Sequence, residues 1–113
     1  MMPEEAHSSP TMDTVFHVLE NQHRRRLLVA LLDHNPQNVD DPPIRSAGER
    51  TVEDGESYRI QMMHTHLPKL EAVGFIEWNR DTNAVRKGSQ FDGVRPLLEV
   101  LQNHASKLPN DWR

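Results

Sequence analysis

The feature that most constrains the fold is a helix-like pattern that ends at a glycine and passes directly into a strand-like one. Apolar residues recur every third or fourth position after Ser57, which predicts a helix that Ser57 caps and that buries this stripe. The stripe consists of Ile60, Met63, Leu67, Leu70 and Gly74. Pro68 removes a backbone donor inside this helix, which predicts a bend or an irregular turn nearby. Gly74 is a common helix terminator, and the alternation over 75–79 is typical of a half-buried strand.

A second strand follows a short polar turn. The turn is RDTNA at 80–84, and the strand returns over 85–87, which together predict a two-stranded hairpin. The basic residues expected near its tip and flank are Arg80, Arg86 and Lys87. Beyond it, Asp92 is expected to cap a final helix over about residues 92–107, with Pro96 in the first turn.

Two further helices are predicted upstream of the long one. The first lies near 12–20 with Thr11 or Asp13 as its cap, and the second begins after Asn21 and ends at 34–36. The second helix is expected to bury Leu27, Leu28, Leu31 and Leu32.

Residues 35–56 follow no clear pattern and carry two adjacent prolines, two glycines and many acids. Val39 and Ile44 are expected to anchor either a short extended piece or a single helical turn.

Length and composition limit the classes of protein that this chain can belong to. A chain of 113 residues is long enough for one domain, which we expect over 11–113 after a disordered leader over 1–10. The chain has no cysteine, which excludes disulfides, thiolate metal sites and thiol nucleophiles. It has neither a signal peptide nor an apolar run long enough to span a bilayer, so we expect a cytoplasmic protein without a membrane partner. The net charge of −4 argues mildly against nucleic acid as a partner.

The order helix, helix, unclear segment, helix, hairpin, helix is that of winged helix-turn-helix domains, in which the helix before the hairpin enters the major groove. We therefore predict a mainly α fold with a small β-hairpin wing, in the α+β class. Residues 64–78, HTHLPKLEAVGFIEW, resemble the motif of the recognition helix and first wing strand in ArsR-type repressors. The segment LENQHRRRLLVALL also resembles a motif of that family, and residues 12–113 with the closing LP-x-DW are similar to small winged-helix proteins from halophilic archaea.

This resemblance implies a regulator that binds double-stranded DNA, and it identifies no effector. The chain departs from the ArsR pattern over 35–56, where the usual first helix of the helix-turn-helix is replaced by an acidic, proline-bearing segment. A winged-helix module that docks a protein partner instead of DNA is therefore the alternative. The sequence has no glycine-rich phosphate loop, no nucleophile elbow and no pair of carboxylates in a pattern that indicates acid–base catalysis. We therefore expect neither an enzyme nor a cofactor.

The DNA-facing residues are predicted from the side of the long helix that its apolar stripe leaves outside, together with the wing. The outward helical residues are then Arg59, Gln61, Met62, Thr65, His66 and Lys69. The wing adds Arg80, Arg86 and Lys87, whose alternative role is to protect an edge strand from aggregation. The adjacent arginines 24–26 are expected to form structural pairs with acids such as Glu20 rather than to bind nucleic acid.

A metal site is not expected at the histidine pair His64 and His66. Residues two apart on a helix point to nearly opposite sides, so these rings could chelate one ion only on a strand. His66 is expected instead to pack against the wing or to contact a phosphate.

A homodimer is expected, because one short recognition helix contacts too few base pairs for useful specificity. The last helix carries an apolar heptad pattern that is wider than one small domain needs, although the same stripe could instead close the monomer core. Helix one is expected to pack beside it. The predicted interface residues are Val15, Phe16, Leu19, Val94, Leu98, Leu101, Ala105 and Leu108.

Overall fold

The computed structural model of the chain describes residues 10–40 and 52–113. Its helices are α1 Met12–Leu19, α2 Gln22–Asp33, α3 Val52–Gln61, α4 Leu67–Ala72 and α5 Arg95–Asn103. Its strands are β1 Gln37–Asn38, β2 Ile76–Asn79 and β3 Ala84–Lys87. A π-helical turn, Met62–His66, joins α3 to α4, and short 3₁₀ helices lie at Phe91–Gly93 and Ala105–Lys107. Except for Pro10, the expected leader lies outside the described residues, as does Ile44.

The chain has the predicted fold class, mainly helical with a small antiparallel sheet in a winged-helix arrangement. Strand β3 lies between β2 and β1, and the register pairs Trp78 with Val85 on one side and Gln37 with Val85 on the other. Strand β1 is the short extended piece expected near Val39, and Val39 is buried beside it. None of the described helices is long and apolar enough to cross a membrane.

Side chains fix the starts of the first two helices. The hydroxyl of Thr11 accepts a hydrogen bond from the backbone N–H of Thr14, and the amide oxygen of Asn21 accepts from the N–H groups of His23 and Arg24. Each bond satisfies a backbone donor that has no partner inside its helix. Thr11, rather than Asp13, is therefore the cap of α1.

Helix α3, the π-helical turn and α4 form one long helical segment, residues 52–72. This long helical segment starts earlier than its apolar pattern predicted. Helix α3 begins at Val52, so Ser57 lies inside the helix and is not its cap. The acidic residues and Gly55 before Ser57 concealed this first turn, because they carry no apolar periodicity.

A π-helical turn also changes which face of that segment is buried. The N–H of Leu67 donates to the carbonyl of Met62, five residues back, one residue before Pro68. An i→i+5 turn holds one residue more than an α-helical turn, so it rotates everything N-terminal to it by about 100° relative to an uninterrupted helix. The irregular turn predicted near Pro68 is thus confirmed, and its effect on the register was missed.

The buried stripe of the long segment accordingly differs from the predicted one. Leu67 and Leu70 are buried as expected, but Ile60 is 59% exposed and Met63 only half-buried. Tyr58 and Met62 take their places in the core. The prediction that Ile60 belongs to the core was wrong, because the pattern was extrapolated backwards through Pro68 without the extra residue.

A glycine-dependent motif joins α4 to the wing. Gly74 has φ of +82°, its N–H donates to Glu71, and the N–H of Phe75 donates to Leu70. This pair of bonds is the Schellman arrangement, which requires a left-handed residue after the helix and therefore favours glycine. The sequence prediction of a helix end at Gly74 is confirmed.

The final helix begins and ends inside its predicted bounds. Asp92 does not cap it, because Asp92 lies in the preceding 3₁₀ helix and its carboxylate accepts instead from Nε of Arg95 at 2.9 Å. The helix ends at Asn103, and His104 breaks the regular backbone before the last 3₁₀ helix.

Candidate nucleic-acid interface

The outward face of the long segment carries groups that can form hydrogen bonds. Gln61, His64 and Thr65 are all exposed, and the exposed Ile60 lies among them. Amide, imidazole and hydroxyl groups can bond to base edges or phosphates, and an apolar side chain can contact a thymine methyl. His64 and Ile60 were not among the predicted contact residues, and the helix-interior Pro68 was the signal that could have revealed the shifted register.

Two residues predicted at this face are in the core instead. Met62 is fully buried and His66 is 4% exposed, so neither can contact a nucleic acid in this structure. The π-turn accounts for Met62, which it rotates inward, whereas His66 lies four residues before the buried Leu70 and therefore on the buried side of the helix in either register.

Two of the predicted arginines are held by carboxylates of the chain itself. Arg59 lies 2.9 Å from Asp40, which follows β1, and Arg80 lies 3.0 Å from Glu71 at the end of α4. Arg80 also stacks over Trp78, 4.2 Å from the ring centre. Both arginines are exposed at the surface, where such pairs are weak and can exchange with a phosphate.

Lys69 is half-buried and bridges α4 to α1. Its ammonium donates to Nε2 of His17 at 3.0 Å, and Nδ1 of His17 lies 3.6 Å from Glu20. This chain of contacts keeps Lys69 at the side of the outward face that borders α1.

Within residues 10–40 and 52–113, one exposed cation of the wing forms no short ion pair. Arg86 is exposed and stands opposite Glu77 in the β2–β3 ladder. Lys87 is turned back towards the body of the domain, with its ammonium 5.2 Å from the ring centre of Phe91 and its N–H donating to Asn35. Of the two, Arg86 is the residue whose side chain is available at the wing surface.

Beneath this face lies a buried polar cluster around Arg24, which is 4% exposed. Its guanidinium donates to the carbonyls of Val18 and His17, at the end of α1, and to Nδ1 of His66 at 3.1 Å. The Arg24 pKa is lowered by burial, an effect that the nearby charge of Glu20 partly offsets. Burial, together with the charge of Arg24, lowers the pKa of His66 to about 4. His66 is therefore neutral near pH 7, with its proton on Nε2.

The neighbouring arginines also serve the fold, as predicted, but their acceptors are carbonyls rather than acids. Arg25 donates to the carbonyl of Leu19 at 2.8 Å and to those of Asp111 and Trp112 near the C-terminus. Arg26 makes one long contact with the carbonyl of Arg113, at 3.4 Å. Arginines beside a helix C-terminus satisfy the last carbonyls and favour its negative dipole end, which is the role that Arg24 and Arg25 have at α1.

The two rings of the histidine pair are not placed to share an ion. His64 is exposed whereas His66 is buried, so the two rings lie on different sides of the segment. Within residues 10–40 and 52–113 there is no group of three or more His, Cys, Asp or Glu side chains that could hold an ion.

The predicted dimer residues separate into two sets. Val15, Leu19, Val94 and Leu98 are buried in the chain's own core, so they are unavailable to a second copy, and their assignment to an interface was wrong. Helices α1 and α5 are short amphipathic elements that use these side chains to close the monomer. Phe16 is 57% exposed, and the remaining predicted residues, Leu101, Ala105 and Leu108, are half-buried.

A family model described as a domain of unknown function (DUF7344) matches residues 16–86, which is more than half of the 113-residue chain. Searches of the curated proteins and of the solved structures returned no significant match. The matched range runs from α1 through β3 and so includes the long helical segment and both strands of the wing. The chain therefore belongs to the family described as domain of unknown function DUF7344.

Proposed function

We propose that this protein binds double-stranded DNA as a homodimer and regulates transcription. The observation that carries the proposal is the exposed polar face of the helix that precedes the wing, with Gln61, His64 and Thr65 free of the core. In winged-helix proteins this helix enters the major groove, where amide and hydroxyl groups bond to base edges. The resemblance of residues 64–78 to the ArsR-type motif supports the same function.

Phosphate contacts are expected from the cations around that face. Arg86 on the wing and Lys69 at the α1 side are the principal candidates, and Arg59 and Arg80 can join them by exchanging a surface carboxylate for a phosphate. The net charge of −4 makes binding depend on this local arrangement rather than on overall attraction.

The test is a fluorescence anisotropy titration of duplexes from the region upstream of the protein's own gene, repeated across salt concentrations. Gln61→Ala with Thr65→Ala should reduce the preference for the bound sequence, because these groups face base edges. Arg86→Gln should weaken binding to all duplexes alike and flatten the salt slope by about one unit, the value expected for one lost phosphate contact. Lys107→Gln removes the same charge from an exposed residue that belongs neither to the long helical segment nor to the wing, and it should leave the salt slope unchanged. Absence of salt-dependent binding by the wild type would refute the proposal.

The dimer is proposed to form through exposed apolar side chains of α1 and α5. Met12 and Phe16 on α1 and Val100 on α5 are each more than half exposed, and together with Ile60 they are the large apolar residues that the described structure leaves to solvent. The segments that precede the two helices lie close together, because a Cβ built on Gly93 would lie 2.6 Å from the ring of Pro10. Apolar groups at the centre of an interface drive homodimer formation.

Phe16→Asp tests this interface. It should give a folded monomer in analytical ultracentrifugation and weaken DNA binding, because the monomer loses the second half-site. Ser106→Asp adds the same charge at an exposed polar position and should remain dimeric. A wild-type protein that is monomeric while it binds its operator would contradict the dimer.

The second candidate is a module that docks a protein partner. The observation in its favour is that Arg59 and Arg80 are already paired with carboxylates of the chain, which reduces the positive charge offered to phosphates. The same titration separates the two functions, because a docking module would give neither the salt slope nor the response to Arg86→Gln.

A further inference from the structure

The buried pair Arg24 and His66 has no part in the proposed contacts with DNA, yet it connects three helical elements. Arg24 lies in α2, its Nε and Nη2 donate to carbonyls at the end of α1, and its Nη1 donates to His66 in the π-turn. The distances are 2.8, 2.9 and 3.1 Å respectively. A planar guanidinium holds its donors in a rigid fork, so a hydrogen bond from each of its three nitrogens fixes the relative orientation of the groups that accept.

Burying this pair costs free energy of hydration, so packing alone does not explain why the two residues are in the core. Both side chains are 4% exposed, and no carboxylate forms an ion pair with Arg24 within the described residues. A buried cation with only neutral acceptors loses hydration that packing alone does not return. Buried polar networks that satisfy every member can specify one arrangement of a core among several that pack equally well.

The network continues from His66 to the sheet. The rings of His66 and His23 lie 5.5 Å apart, the ring of His23 meets that of Tyr58 edge to face at the same distance, and the Tyr58 hydroxyl donates to the carbonyl of Val39. The long helical segment is thus attached at two points of its buried face. Tyr58 bonds to Val39 beside β1, and His66 bonds to Arg24, which also bonds to the end of α1.

The π-turn makes one of these attachments possible. Without its additional residue, Tyr58, which lies N-terminal to the turn, would be rotated by about 100° away from the core and from Val39. The turn therefore allows the hydrogen bond from Tyr58 to the carbonyl of Val39, which holds one end of the segment, while the bond between Arg24 and His66 holds the other.

We propose that Arg24 and His66 are positioning residues, which fix the orientation of the long helical segment against α1 and thereby the binding of DNA, although neither contacts DNA. The effect on DNA rests on the proposed function, whereas the effect on helix orientation does not. A purely structural role would alter stability alone.

Two variants separate these roles. His66→Asn keeps an acceptor near the place of Nδ1, and His66→Phe keeps a ring but has no acceptor. We expect His66→Phe to lower operator affinity about tenfold at a temperature where it is fully folded, the effect of one lost hydrogen bond to a charged group. His66→Asn should restore affinity to within about threefold of wild type by the same reasoning.

Helix orientation is measured independently of DNA with two spin labels. The chain has no cysteine, so Asp13→Cys on α1 and Ser57→Cys on α3 introduce unique labelling sites, both exposed. The distance distribution between them should broaden or shift in His66→Phe and stay as in wild type in His66→Asn. If His66→Phe does not fold, Arg24→Lys replaces it, since a lysine has no fork to bridge α1 and His66.

Arg25→Lys is the matched control, because Arg25 also caps α1 but, within the described residues, forms no hydrogen bond to the long helical segment. It should leave the distance distribution unchanged. A wild-type distribution in His66→Phe or in Arg24→Lys overturns the proposal. If the distribution changes but no duplex is bound even by the wild type, the proposed function fails while the orienting role stands.

Discussion

Lowering the pH from 7 to 4 should destabilise the protein through His66 in particular. The folded chain lowers the pKa of His66 to about 4, first through burial and then through the charges of Arg24, His23 and Lys69. The unfolded chain has the ordinary value of about 6.5. Between these two values the unfolded state binds a proton that the folded state does not, so stability rises with pH in that window. Its contribution is present above about pH 6.5 and is lost as the pH falls towards 4.

The size of the effect follows from the shift. One unit of pKa difference corresponds to about 1.4 kcal/mol, so the free energy of unfolding should fall by about 3 kcal/mol on account of His66 between pH 7 and pH 4. Such a loss is a large fraction of the stability of a small domain, which is commonly about 5–15 kcal/mol.

Urea unfolding of the wild type and of His66→Asn, each at several pH values, isolates this contribution. Carboxylates and the other histidines titrate in both proteins, so only the difference between the two free energies reports on His66. That difference should move by about 3 kcal/mol in favour of the variant on acidification. An NMR titration of the His66 ring should give a midpoint near 4. A midpoint near 6.5, with parallel pH profiles for the two proteins, would show that the buried contact with Arg24 does not exist in solution.

Further predictions test the register and the turns. Ile60→Ala should change the free energy of unfolding by less than about 0.5 kcal/mol, whereas Met62→Ala, in the core, should cost about 2–5 kcal/mol; the reverse order in urea unfolding would restore the uninterrupted α-helical register. Thr11→Ala should cost about 1 kcal/mol through loss of the α1 cap, measured as a lower melting temperature. Gly88→Ala should cost about 2 kcal/mol or more, because its Cβ would lie 2.4 Å from the backbone oxygen of Gly74; an unchanged melting temperature would mean that the base of the wing is looser than described.

The candidate site was only partly predictable, and the long helical segment shows why. The exposure of Arg59, Gln61 and Thr65 was correctly inferred, since these residues are polar and lie between apolar ones under either register. Met62 was misassigned because a hydrophobic pattern records spacing and assumes a constant number of residues per turn, and His66 because a polar residue at the edge of the apolar stripe was assigned to the outside. Pro68 indicated an irregular turn. Whether the backbone there forms a π-turn or a kink depends on what the helix packs against, and in this chain it forms a π-turn.

Local signals in the sequence determined the elements themselves. Caps at Thr11 and Asn21, the left-handed Gly74 and the turn at 80–83 act through hydrogen bonds and backbone preferences within a few residues, so they can be recognised without the rest of the chain. The order of these elements then limits the fold to a winged-helix arrangement.

Only the tertiary structure decided the contacts between distant segments. Strand β1 pairs with β3 across about two fifths of the chain, with Gln37 opposite Val85, and Arg24 contacts His66 across 42 positions. The same structure commits Val94 and Leu98 to the monomer core instead of an interface. An apolar side chain follows the same sequence pattern whether its own domain or a second copy covers it. A buried arginine likewise cannot be distinguished from a solvated one in the sequence, because burial is a property of the assembled fold.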